Sequence, residues 1–169
     1  IADWESGNTA PSYPQLEKLA YQIYKRPLAV FFLPEPPEEI SPKREFRSLP
    51  DSDLENLHPD TYMHVRKGHA YQVSLRELFN ANPSESKLWE QVPLNVDGNV
   101  ELQAHKIRLA LGITIENQSS IRRDEDALKA WRASIENKGI FVFKSSFKQK
   151  DISGFCLSDD QFPLIYLNN

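Results

Sequence analysis

The chain lacks most of what would mark a secreted, membrane-spanning or strongly basic protein. A single cysteine, Cys156, in 169 residues excludes an internal disulfide framework and suits a reducing compartment. No run approaches the roughly 18 apolar residues a membrane helix requires, and the opening residues do not read as a signal peptide. A cytoplasmic location with no membrane partner is the expectation. Positive charge is also short: 20 Lys and Arg face 24 Asp and Glu, for a net charge of −4. That balance excludes a protein that coats nucleic acid through bulk charge. There is no Gly-rich phosphate loop and no Gly-x-Ser-x-Gly nucleophile turn. None of the four histidines (His58, His64, His69, His105) is followed by Glu. The His-Glu-x-x-His pattern, which sets two ligands on one helix face with a glutamate to activate metal-bound water, is therefore not in this sequence.

What remains is ordinary for a globular chain, with 40% hydrophobic and 26% charged residues. The length suffices for one domain, or for a small module plus a second. Residues 1–33 open with Ile1-Ala-Asp-Trp-Glu-Ser-Gly7, in which Gly7 can take the left-handed conformation that stops a helix. Leu16, Leu19, Ala20 and Ile23 then recur at i, i+3, i+4 and i+7, predicting one buried helical face. From residue 34 to 59 six of the twelve prolines gather among acidic residues, which predicts a linker.

Beyond the linker, Asp60 or Thr61 is expected to cap a helix running to about Asn80, with Tyr71, Leu75, Leu78 and Phe79 as its apolar stripe. His64 and His69 stand five apart and point in different directions, so surface or partly buried histidines are expected and not metal ligands. Val100–Leu111 reads as a helix stopped by Gly112, and Ser119–Lys138 as another stopped by Gly139. Trp131 is assigned to the core. The pattern then changes to short β-type runs at Ile140–Phe143, Gly154–Leu157 and Phe162–Leu167, a strand meander. Cys156, in the second run, reads as a small core residue. The fold class is α+β: a partial helix-turn-helix module, a Pro-rich linker, and a helical region leading into a small antiparallel or mixed sheet.

The order Ile1-x-x-Trp-Glu-x-Gly7, Pro11, Leu16-x-x-Leu-Ala20 and Pro27 through Phe31-Phe32 resembles the second half of Xre-type helix-turn-helix DNA-binding domains. Pro36-Pro-Glu-Glu39 followed by Phe46-Arg-Ser-Leu-Pro50 resembles the linker joining such a domain to an ImmA/IrrE-type zinc peptidase domain. Leu109-Ala-Leu-Gly-Ile113, Ala127-Leu-Lys-Ala-Trp-Arg132, Gly139-Ile-Phe-Val142, Ile152-Ser-Gly-Phe155 and Pro163-Leu-Ile-Tyr-Leu-Asn168 look like the front of that peptidase domain. Such a helix-turn-helix domain normally has two helices before this point, and in the peptidase family the zinc helix follows soon after the last of these motifs. The chain is therefore expected to be a fragment: residues 1–33 the end of one module, 34–59 the linker, 60–169 the beginning of the other.

The resemblance implies a transcriptional regulator that binds DNA through an intact helix-turn-helix and cleaves a partner repressor or antitoxin. Zinc would belong to the parent protein, with no cofactor in this chain, which by itself would be catalytically inert. Homodimerisation stays open. Ala2 would be the nearest groove-facing position and Asn8 a phosphate contact. Trp4, Glu5, Gly7, Phe46 and Arg47 would be structural, Phe46 seated in an apolar pocket and Arg47 paired with a carboxylate. The alternative from another class is a non-enzymatic module that binds a protein or small ligand.

Overall fold

The computed structural model describes residues 1–38, 57–80, 82 and 87–169. Phe46 and Arg47 lie outside the described residues. The chain forms two compact units, residues 1–67 with 147–151, and residues 68–146 with 152–169.

In the first unit, α1 (Ala2–Glu5) is a single turn. Gly7 closes it at φ +75°, the left-handed conformation its missing side chain permits. Ser12 and Gln15 then form a capping box at the start of α2 (Tyr13–Glu17). Its continuation, Lys18–Ile23, widens into a π-helical turn, and Lys25, itself left-handed at φ +54°, ends the run. Only part of the expected apolar face is covered: Ala20 is fully buried, Leu16 and Leu19 are half-buried, and Ile23 is exposed. The widened turn shifts later residues away from the face that a 3.6-residue period would give. A 3₁₀ turn at Leu28–Phe32 follows Pro27.

The long helix α3 (Pro59–Leu78) begins in the first unit and continues into the second. Proline at its first position fits, since that N–H would have no helical partner. The cap differs from expectation. The His58 ring accepts the Asp60 N–H at 3.1 Å, which leaves the Asp60 carboxylate for another partner. The apolar stripe is also displaced. Leu78 is exposed, while the buried line runs through Thr61, His64, Val65, Gln72 and Leu75. Polar side chains with fixed partners take positions that hydrophobicity alone would not select.

The second unit holds α4 (Leu88–Gln91), α5 (Val100–Leu111), α6 (Ile115–Ser120), α7 (Asp124–Glu136) and three strands. Asn99 caps α5, and Gly112 at φ +68° ends it. The helix expected from Ser119 to Lys138 is two helices. Ile121 and Arg123 are extended, and Thr114 and Arg123 stand at the starts of the two pieces. The three acids Asp124, Glu125 and Asp126 occupy the first turn of α7, where the helix dipole favours them.

The sheet is mixed and not a meander. β1 (Phe141–Ser145) runs parallel to β3 (Leu164–Asn168), and β2 (Gly154–Leu157) runs antiparallel to it, giving the order β1-β3-β2. A meander needs a tight turn between the first two strands. The connecting residues 147–151 instead bond to the beginning of α3, which removes them from a hairpin. β3 becomes the central strand, with Leu164 and Tyr166 each 1% exposed. Tyr166 stacks on Phe155 at 4.9 Å, and Tyr71 lies over Phe143 at 4.3 Å. Cys156 points to the exposed face of β2, between buried Phe155 and Leu157, so it is not a core residue. Trp131 is half-buried under the Arg108 guanidinium, 5.4 Å from its ring. Among the described residues the architecture is α+β, with seven α-helices and a three-stranded mixed sheet.

Candidate functional site

Several places among the described residues combine polar or apolar groups in ways the chain does not need for secondary structure alone. The first is the opening turn. The Ser6 N–H donates to the Ala2 carbonyl at 3.0 Å, the Gly7 N–H to Trp4 at 3.2 Å, and the Thr9 N–H to Asp3 at 3.1 Å. These bonds fold residues 1–9 into one knuckle. Ala2, Glu5, Gly7 and Asn8 are all exposed on it, and Trp4 is half-buried. Ala2 and Asn8 are thus brought to the same small feature, with the Asp3 and Glu5 carboxylates beside them.

The second is an apolar groove of about 380 Å³ in the first unit, lined by Tyr24, Arg26, Phe31, Leu33, Pro36 and Pro37 among others. The Tyr24 and Phe31 rings meet at 5.8 Å and form part of its wall. Left-handed Lys25 turns the chain between the helix and the 3₁₀ turn, and so sets the two walls apart. The Arg26 guanidinium has its pKa lowered, chiefly by burial and further by the charge of Arg66. Arg66 in turn donates to the Lys25 carbonyl at 2.8 Å. The groove suits an apolar side chain next to a cation.

The third is a buried polar cluster where α3 starts. The Gln149 Oε1 accepts the His58 N–H at 2.8 Å and the Thr61 hydroxyl at 3.3 Å. The Asp60 carboxylate accepts the Lys148 N–H at 2.9 Å. His64, 5% exposed, lies within hydrogen-bond distance of the Asp60 carbonyl through Nδ1, 3.0 Å away, and packs its ring 5.1 Å from Phe147. Burial lowers the His64 pKa; the nearby Asp60 opposes that and Lys67 adds to it. These partners make the cluster a clamp on residues 147–149. Gln149 had no signal in the sequence, because it sits in a polar run without periodicity.

In the second unit Gln72 plays a similar part. Its amide nitrogen donates to the carbonyls of Leu157 and Phe162, at 3.3 and 3.2 Å, so its oxygen is left to accept. It meets the His69 Nδ1 at 3.2 Å, which makes that nitrogen the protonated one in the neutral ring. Asp159 takes the N–H groups of Gln161 and Phe162 and pairs with Arg76. Each of these holds the sheet connection to α3.

Among the described residues no group of three His, Cys, Asp or Glu side chains is placed to hold a metal ion. No described helix is long and apolar enough to cross a membrane. Compared with protein-family models, curated proteins and solved structures, the chain has no match.

Proposed function

We propose that this chain is part of a cytoplasmic transcriptional regulator with an Xre-type DNA-binding module and an ImmA/IrrE-type metallopeptidase module. Residues 1–33 belong to the first and residues 60–169 to the second. One observation carries the reading: the residues of the resemblance stand at element boundaries. Gly7 and Gly112 are left-handed helix stops, Gly139 at φ +83° precedes β1, Pro27 introduces the 3₁₀ turn, and Pro163 introduces the central strand. Glycine and proline favour such junctions in any chain, so the support lies in their falling there in the order the resemblance sets.

On this reading Ala2 faces the groove of DNA and Asn8 a phosphate, with Trp4, Glu5 and Gly7 shaping the turn that carries them. Asp3 and Glu5 weaken phosphate contact, so specificity and affinity come mainly from elsewhere in the module or from a second copy. Zinc is assigned on this reading to the parent protein and not to these residues. No histidine is followed by Glu, and the described residues bring no three ligands together. Proteolysis of a repressor or antitoxin would be the work of other residues in the parent protein. The open groove at Tyr24 and Phe31 favours a second reading, a binding module without catalysis.

The experiment is peptide mapping and metal analysis of the gene product from its own cell. A species much heavier than 19.5 kDa, with a His-Glu-x-x-His peptide and one equivalent of zinc, supports the peptidase regulator. A zinc-free species of 19.5 kDa overturns it and leaves the binding module.

A further inference from the structure

The outward face of α5 carries an apolar stripe that no described residue of its own unit covers. Leu102 is 55% exposed and Leu109 63% exposed, and His105 lies between them, also exposed. Their spacing of three and four residues places them on one line along the helix. The opposite face is the one that packs, through buried Leu111 and half-buried Ile107 and Ala110. Charge flanks the stripe in a particular order. Glu101 stands beside its N-terminal end and Arg108 beside its C-terminal end. Seven residues is two turns, so both lie on the same side of the stripe. Neither makes an ion pair with a described residue. Arg108 is also held in place, one of its donors engaged by the Gln118 amide and its plane set over Trp131. A guanidinium has five N–H donors, so others remain for a carboxylate.

We propose that α5 is a self-association surface, and that its partner is α5 of a second copy lying antiparallel across a two-fold axis near His105. That arrangement sets Leu102 of each copy against Leu109 of the other and brings each Glu101 to the other's Arg108. A surface with acid at one end, base at the other and leucines between them is its own complement under a two-fold, as an isologous contact requires. The contact is small, so the dimer is weak and forms at high concentration. The inference stands apart from the DNA-binding and peptidase reading, since it rests on α5 alone.

Sedimentation equilibrium on the full chain, from roughly 10 μM to 1 mM, reads the association. The mass is expected to rise from 19.5 kDa towards twice that value. Leu109→Asp, at an exposed position, keeps the helical circular dichroism and abolishes the rise. Glu101→Arg and Arg108→Glu each place like charges across the two-fold and weaken association by about tenfold. Mixed together, these two variants carry opposite charges at both crossings and form a heterodimer as strong as the original. A wild-type chain that stays at 19.5 kDa throughout overturns the proposal. So does undiminished association of Leu109→Asp, or a mixture that associates no better than either variant alone.

Discussion

At the scale of single residues, polar groups and glycines set the constraints that hydrophobicity misses. Burial holds the His64 imidazole below its ordinary value of 6.5, against the opposing pull of Asp60. The folded chain therefore resists a proton that the unfolded chain accepts. The His64 contribution is level well above pH 6.5 and turns against folding as pH drops below it, because protons then favour the unfolded state. Denaturant midpoints between pH 7.5 and 5 should show the slope, and His64→Gln should flatten it. If the variant keeps the full slope, His64 is not its source. Asp159 works in a lower window. Desolvation raises its pKa, but the N–H groups of Phe162 and Gln161 and the charge of Arg76 outweigh that and leave it lowered from 3.8. Its contribution is present at neutral pH and is lost only as acid protonates the folded carboxyl.

Two glycines separate a backbone constraint from a side-chain one. A Cβ at Gly154 would stand 2.5 Å from the Tyr166 carbonyl oxygen in the β2–β3 pairing, and neither strand can move without breaking the ladder. A Cβ at Gly68 would stand 2.6 Å from the Leu157 Cδ1, a methyl that can rotate aside. Gly154→Ala should cost about 3 kcal/mol and Gly68→Ala about 1 kcal/mol, as overpacking does. Thermal unfolding of the two variants ranks them, and a larger loss for Gly68→Ala would contradict the geometry.

At the scale of elements, helix ends in the second unit are set by local chemistry. Asn99 accepts the Leu102 N–H at 2.9 Å, and Thr114 accepts the Asn117 N–H at 3.1 Å. Removing either side chain leaves a helix N–H without its partner. Asn99→Ala should lower stability by about 1 kcal/mol, measured by urea titration, with an unchanged value marking the cap as dispensable. The extent of α5 was legible in the sequence, its end through Gly112, which acts on its own neighbours; the Asn99 cap was not singled out there. The split between α6 and α7 was not, since Ile121 fits a heptad spacing with Leu128 and Ile135 whether or not the backbone is helical between them. The same limit applied to Lys18–Ile23. A π-helical turn keeps the composition of an α-helix and moves its faces.

At the scale of the whole molecule, residues 1–38 and the sheet of the second unit differ in how they are held. In residues 1–38 only Ala20 is buried, and Tyr13, Tyr21, Tyr24, Phe32 and Leu33 are all more than half exposed. The sheet of the second unit buries Val142, Phe155, Leu157, Phe162, Leu164 and Tyr166. Opening free energies follow buried apolar contact. Hydrogen exchange followed by mass spectrometry should find the slowest amides in Leu164–Asn168 and the fastest protected ones in Tyr13–Ile23. Equal protection of both would mean that the described contacts of the first unit understate its stability.

The α+β class, the left-handed stops at Gly7 and Gly112, the helix Val100–Leu111 and the three β-type runs were written in the sequence alone. Each depends on residues a few positions apart, and local conformational preference acts at that range. Strand order was decided by the tertiary structure, because the contacts of residues 147–151 with α3 prevent a hairpin and leave β3 in the centre. It also decided the burial of His64 and the exposure of Cys156. A histidine enters the interior where Asp60 and Phe147 surround it, and a cysteine leaves it where the pleat turns its side chain outward. Those outcomes depend on partners up to about ninety residues away in the chain, as Gln149 is from His58. Neither periodicity nor composition carries that information.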